Sequence, residues 1–405
     1  MQERQRRGEF LALMAAATAT IAIAIDAMLP AFGDVRTHFG LSATASETAL
    51  IITVFMGGLG IGQVVYGPLA DRFGRKPIFM AGLLLYVVAG FATALAPSLE
   101  LLIAGRFLWG IGAAGPRVVS QAMLRDRFRG DELARAMAVI LTMFLIVPTV
   151  APALGQAILA LGSWRFTFAV GPVFATLVAL WSTRVTESLD PSQRRPLDLR
   201  SIGRGVGEVL GTRSAAGNTV ALTAMFAAFL PYLASGERMY GEIYDRGEQF
   251  FLWFAATSIV MAGFTLGISR VVDRRGTRRT TRGVLVLLVG VALVNVIGTV
   301  AAAGVPSFAF FFIATTLLVA LNTALSPLLT SRALHDVGHV AGTAASTMGA
   351  ISFVGSSLLS PIVDGAIATM ITPFAVGYLI FALVAAVAAA WADRSERIRE
   401  PAISG

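Results

Sequence analysis

The sequence predicts an all-α integral membrane protein with twelve transmembrane helices in two pseudo-symmetric six-helix bundles. Three observations carry that expectation. First, 56% of the 405 residues are hydrophobic and 14% charged, with a mean hydropathy of +0.74, whereas a soluble domain is about one quarter charged. Second, twelve apolar runs are each long enough to cross a bilayer core, which takes about twenty helical residues, and a polar stretch separates the sixth from the seventh. Third, a charged, glycine-containing loop between the second and third runs recurs between the second and third runs of the second half.

The first run covers 10–32, behind Gln2-Glu-Arg-Gln-Arg-Arg7. A signal peptide has a shorter apolar core and a small-residue cleavage site, so this run is expected to be retained as span 1. Runs at 46–68, 77–96, 99–123, 133–160 and 166–183 complete a first bundle, residues 1–184. Residues 185–217, with Pro191, Pro196 and several arginines, read as a cytoplasmic linker. The second bundle, 218–405, contains runs at 218–236, 250–270, 283–303, 307–331, 338–367 and 371–391. With both termini in the cytoplasm, Arg36, Arg165, Arg238 and Arg246 are the basic residues that fall outside, and Arg106 and Arg117 lie within span 4. The rest of the 32 lysines and arginines then face the cytoplasm, as the positive-inside rule requires.

The loop after span 2 reads Gly67-Pro-Leu-Ala-Asp71-Arg72-Phe-Gly74-Arg75-Lys76. Gly67 is expected to let two helices approach closely, and Gly74 to supply a turn that most residues resist. Asp71 can cap or neutralise a helix N-terminus, while Arg72, Arg75 and Lys76 hold the loop inside. The pattern G-x-L-A-D-R-x-G-R-K is complete and closely resembles the signature loop between spans 2 and 3 of the major facilitator superfamily. Gly267 and Asp273-Arg-Arg-Gly276, before Arg278 and Arg279, repeat it in the second half. The resemblance implies a transporter of duplicated halves that works by alternating access, with substrate bound near the midplane.

Several residues can carry the chemistry. Asp26 lies in the apolar stretch Ile25-Asp26-Ala-Met-Leu-Pro30-Ala31 of span 1. A carboxylate there is costly unless it faces protein or water; it is either a proton carrier or a structural group at the helix break before Pro30. The pattern I-D-x-x-L-P-A resembles span 1 of the drug:proton antiporters of the bicyclomycin-resistance (Bcr/CflA) type. In span 4, Arg106-Phe-Leu-Trp-Gly110-Ile-Gly112-Ala-Ala114 matches that family's R-x-x-x-G-x-G-A-A, which implies a proton-coupling role for Arg106; otherwise Arg106 only neutralises a buried partner. Arg117, about three turns further along the helix, departs from the family and reads either as an anion-attracting cavity residue or as a snorkelling one.

Span 5 contains Pro148-Thr-Val-Ala-Pro152-Ala-Leu-Gly155-Gln156. Its prolines bend the helix, and Gly155 permits close packing. It resembles the family's antiporter motif A-P-x-L-G-G with Gln156 in place of the last glycine. Trp164-Arg165-x-x-Phe168, Arg125-Asp126-x-Phe128 and Glu187-Ser-Leu also fit the resemblance. In the second half, Glu237 is either part of a solvated outer loop, 237–248, or a cavity residue. Asn322 and Asn295 either join helices or contact substrate. Span 11, with Gly349, Gly355, Pro361, Asp364 and Gly365, matches span 5 in position. Phe226, Phe229, Tyr232 and Tyr240 are expected to pack in the core or against lipid unless they line a cavity.

With no cysteine there is no disulfide or thiolate site, and His38, His335 and His339 stand apart at loop edges. No G-x-x-x-x-G-K-[ST] loop is present, so ATP is not expected to drive the protein. No metal, cofactor or enzymatic centre is expected. The net charge of +8 follows from membrane orientation and needs no nucleic-acid partner. The expected protein is a monomeric, multi-pass carrier of the bacterial inner membrane with both termini cytoplasmic. It would couple protons to the export of small amphipathic or drug-like compounds, with the lipid bilayer as its solvent. A proton-coupled carrier of a specific organic anion is the rival within transport; a membrane-embedded enzyme or sensor is the rival outside it.

Overall fold

A computed structural model describes residues 2–194, 199–338 and 341–399, and Pro196 of the expected linker and His339 lie outside the described residues. The described chain is helical apart from short connections. The helices are α1 (Gln2–Asp26), α2 (Phe32–His38), α3 (Ala49–Phe73), α4 (Arg75–Ala94), α5 (Leu99–Arg127), α6 (Gly130–Leu159) and α7 (Trp164–Ser182), then α8 (Leu199–Gly211), α9 (Arg213–Arg238), α10 (Phe250–Arg275), α11 (Thr277–Ala301), α12 (Phe308–His335), α13 (Ala341–Ala366) and α14 (Thr372–Arg399). Each of the twelve apolar runs overlaps one of the long helices, the first continuing through a 3-10 turn to α2. Among the described residues, ten helices are long and apolar enough to cross a membrane. The helices α5 and α6 are not among the ten. Arg106 and Arg117 interrupt α5, and the described apolar stretch of α6 is Ile146–Leu159.

The chain divides into two compact units, Met1–Ser42 with Val54–Leu199, and Ala43–Thr53 with Arg200–Gly405. The expected linker is more structured than its prolines and arginines suggested. Within it, α8 buries Gly205 and Val209, four residues apart on one face, and α9 already begins at Arg213.

Local chemistry sets the helix ends. Span 1 breaks after Asp26 into a 3-10 turn at Leu29–Ala31, where Pro30 supplies no amide proton, before α2 resumes. Ser98 and Ser163 cap α5 and α7 by accepting from the Leu101 and Arg165 amides. Gly74 joins α3 directly to α4 at φ 105°, and Gly276 joins α10 to α11 at φ 75°, so the two related loops share a backbone solution that disfavours side chains.

In the first unit α5 is central, and glycines bring its backbone against its neighbours. A Cβ on Gly110 would collide with the Phe55 carbonyl of α3, and one on Gly112 would lie 2.5 Å from the Tyr86 nitrogen of α4. Gly155 of α6 lies equally tight against the Ala27 carbonyl. Gly67 was expected to be such a contact point and is not, since a Cβ there meets nothing within 4 Å. In the second unit α9 is buried along most of its length and packs on α12, α13 and α14. Its Gly217 approaches the Ala388 carbonyl of α14.

These contacts separate two substitutions at glycine. Gly112→Val is expected to lower stability by about 1–3 kcal/mol, the usual cost of overpacking a tight contact, whereas Gly67→Ala should leave it unchanged. Thermal unfolding of the two purified variants in detergent reads the difference.

Candidate functional site

Asp26 is the last residue of α1 and is 4% exposed. It forms no hydrogen bond or ion pair with another described residue. Around it the first unit is tightly organised. Arg106, fully buried, donates from Nη1 to the Ala24 carbonyl at 3.1 Å, two residues before Asp26. Its guanidinium lies 4.3 Å from the centre of the Phe55 ring and 4.7 Å from that of Trp109. Tyr86 packs edge-on to Trp109 and donates its hydroxyl proton to the Thr20 carbonyl at 2.7 Å. Gly155 meets the backbone at Ala27, on the other side of Asp26, and Pro148 and Pro152 lie inside α6 on the approach to it. Three helices, α4, α5 and α6, therefore contact span 1 between Thr20 and Ala27, and Phe55 of α3 backs the Arg106 guanidinium. Arg106 reaches the helix that carries Asp26 through a carbonyl and not through the carboxylate. Arg117 is half-buried further along α5, and Gln156 is half-buried beside Gly155.

The loop between α3 and α4 works differently from the expectation. Asp71 does not cap a helix N-terminus; it sits in the last turn of α3 and receives Arg75 Nη1 at 2.5 Å. Arg75 also donates from Nε to Asp126 at the end of α5, at 3.1 Å. The first turn of α4 is instead capped by Glu187, beyond α7, which accepts from the Arg75 amide at 2.9 Å and the Lys76 amide at 3.1 Å. Glu187 also accepts from the Ser188 and Leu189 amides. Partial burial opposes ionisation of Glu187, yet these four backbone N–H groups together hold its carboxyl below the usual glutamate range. A Cβ on Gly74 would lie 2.5 Å from Glu187 Oε2, so the glycine is needed for this contact as well as for its positive φ. Arg72 is exposed and stacks over Phe73. Sequence reasoning noticed Glu187 as part of a pattern and gave it no role; a carboxylate following the last helix of a half was the available signal.

The second unit has the corresponding junction with other chemistry. Asp393, in α14, is 3% exposed at its side chain and binds Arg332 of α12, Arg282 of α11 (Nε at 2.7 Å) and Arg278. Sequence reasoning missed it because it follows an apolar run like any solvated charge. Asn322 donates to the Met225 carbonyl of α9 at 2.9 Å and to the Tyr378 hydroxyl of α14 at 3.0 Å, the helix-joining arrangement. Asn295 is fully buried in α11. The stretch after span 7 is not a solvated loop from its start. Helix α9 runs through Arg238, a π-helical turn follows at Met239–Ile243, and Glu237 is only 8% exposed. The aromatic residues pack on one another: Phe226 on Phe353, Tyr232 stacked on Phe254, and Tyr240 edge-on to Phe250 and Phe311.

The family model described as Major Facilitator Superfamily matches residues 10–360. Among curated proteins, the chain is 27% identical over 348 residues to the uncharacterized MFS-type transporter YdgK of Bacillus subtilis, covering 84% of each chain. It is 28% identical over 348 residues to the bicyclomycin resistance protein homolog of Haemophilus influenzae, again with 84% of each covered. Among solved structures, a D-xylose–proton symporter superposes with a TM-score of 0.74 at 15% identity, covering 95% of this chain and 97% of the other.

Glu187 generates a pH prediction with a definite sign. Its folded-state pKa is depressed, so the stability it contributes is complete above the ordinary glutamate value of 4.5 and is lost as pH falls through the lower folded value. Thermal unfolding between pH 6 and pH 3, an experimental range of about three units across the glutamate pKa, should show this component in the parent. It should be missing in Glu187→Gln.

Proposed function

The chain belongs to the Major Facilitator Superfamily, and on that premise we propose that it is a proton-coupled exporter of small amphipathic or drug-like compounds in the bacterial inner membrane. It is a multi-pass secondary transporter and not an enzyme. Export is supported by the named relative, a bicyclomycin resistance protein homolog, and by the complete I-D-x-x-L-P-A and R-x-x-x-G-x-G-A-A patterns. In this reading the working protein is a monomer with both termini cytoplasmic, and protons are its co-substrate.

The observation that carries the reading is a carboxylate buried at the end of span 1 with no bonded partner among the described residues, held next to a helix break. A proton carrier has to be charged in one state and neutral in another. A carboxylate already committed to an ion pair resists that exchange; Asp26 has no such commitment. Arg106 is its positioning neighbour: bound to the Ala24 carbonyl, it sets the field at the end of α1 without neutralising the acid. Gly155, Pro148 and Pro152 give α6 the bend and close approach by which α6 follows a movement of that end. Asp71, Arg72, Gly74 and Arg75 act at the cytoplasmic junction of α3 and α4 as the gating loop. Gln156 and Glu237 stand as substrate-contacting candidates.

Asp26→Asn tests the assignment, because the amide mimics the protonated acid. The variant is expected to bind substrate and lose all concentrative transport in inverted vesicles, while Asp26→Glu keeps part of it. Concentrative transport at the parental rate in Asp26→Asn would place coupling elsewhere.

Arg117 divides export of neutral compounds from carriage of an anion. Half-buried in α5, it is expected to act in recognition, so that Arg117→Ala weakens binding of anionic compounds at least several-fold and leaves neutral ones unchanged. Equal loss for both classes with normal membrane insertion would assign it a structural role.

A further inference from the structure

The second unit contains a buried carboxylate of the opposite character to Asp26. Asp364, in the last turn of α13, is 1% exposed. Its Oδ1 accepts from Ser235 Oγ of α9 at 2.7 Å, and its Oδ2 accepts from Ser360 Oγ at 2.6 Å. Arg238, 2% exposed at the end of α9, donates from Nη2 to Ser235 Oγ at 3.2 Å and to the Asp364 backbone carbonyl at 2.9 Å. Its other terminal nitrogen, Nη1, donates to the carbonyl of Thr44 at 2.8 Å. Thr44 belongs to Ala43–Thr53, the segment leading into span 2 that is part of this same compact unit. Asp364 also lines a cavity of roughly 150 Å³ together with Ser46, Glu47, Ala49 and Thr53.

We propose that Asp364 is a second proton-binding residue, and that through Ser235 and Arg238 it latches the Ala43–Thr53 segment to α9 and α13 when ionised and frees it when protonated. The physical reason lies in Arg238. A guanidinium keeps its charge at any working pH, and removing a counter-charge from a buried cation is strongly destabilising. The ionised Asp364 provides negative charge through the Ser235 hydroxyl. Its protonation weakens that support and draws Arg238 toward water, away from the Thr44 carbonyl.

Other charged groups near the cluster are Glu47, on the segment and in the cavity wall, and Glu237, next to Arg238 on α9. On α12 and α14, which pack on α9, the described charged side chains, Arg332, His335 and Asp393, occupy the far ends of their helices. Neither the cluster nor the latch depends on Asp26 being the coupling acid.

The chain has no cysteine, so a single introduced thiol reports cleanly. Ala49→Cys places it at a buried position in the cavity wall. Its labelling rate is measured from alkaline to acidic pH and divided at each pH by the rate for the same chain unfolded, which removes the thiol's own ionisation. The normalised rate is expected to rise several-fold as pH falls. Adding Asp364→Asn should make labelling fast at every pH. Ser235→Ala, which leaves the acid in place and breaks the relay, should raise the rate at neutral pH. Glu47→Gln, Glu237→Gln and Asp26→Asn should each retain the pH step. A step that survives in Asp364→Asn, a Ser235→Ala curve identical to the parent, or loss of the step in any of those three controls would overturn the latch.

Discussion

The first unit depends on backbone-to-backbone approach along α5. In a bilayer there is no water to squeeze out between helices, so association rests on close packing and on polar groups finding partners inside the protein. Gly110 and Gly112 let α5 lie against Phe55 of α3 and Tyr86 of α4 at distances no side chain allows. One turn earlier, that approach delivers Arg106 between the Phe55 and Trp109 rings, with a carbonyl of α1 to bond. A permanent charge in the middle of an apolar helix is tolerable only in such a setting. Span 1, with Asp26 at its end, is thereby held from two sides, by Arg106 on Ala24 and by Gly155 on Ala27.

The α3–α4 and α10–α11 junctions show one architectural problem solved twice. In each unit two helices meet at a single glycine of positive φ, and a carboxylate at or beyond the end of that unit's last helix secures the junction. Glu187 does so by satisfying free amide protons at the start of α4, where the helix dipole also favours an anion. Asp393 does so by gathering the guanidiniums of Arg278 and Arg282 from α11 and of Arg332 from α12. The first solution uses geometry and the second uses charge, so the duplicated loops are equivalent in backbone and not in electrostatics.

Two deeply buried acids, Asp26 and Asp364, are likewise unequal. Asp26 is bounded by packing and lacks a bonded partner among the described residues, which suits a group whose proton must leave and return. Asp364 has two hydroxyl donors and stands one serine away from an arginine, which suits a group that holds something in place. Burial alone does not distinguish them; their hydrogen bonds do.

Much of the molecule was legible in the sequence. Hydropathy located every long helix, because lipid demands continuous apolar length. The pattern around Gly74 and its echo at Gly276 marked both inter-helix junctions, because few residues adopt positive φ. Asp26 and Arg106 stood out because charge within an apolar run is rare and costly. What the sequence left open were the partners. Asp71 looked like a cap, yet the amides of α4 were met by Glu187, more than a hundred positions away; Gly67 looked like a contact point, yet nothing approaches it. Asp393 resembled a solvated charge after an apolar run until three arginines from two other helices converged on it. Glu237 and Arg238 read as the start of a loop until α9 carried them into the buried interior. Apolar length, glycine and isolated charge are properties of a residue and its near neighbours, so sequence by itself determines them. Which acid meets which donor depends on how distant helices rotate and pack, and only the tertiary structure decides that.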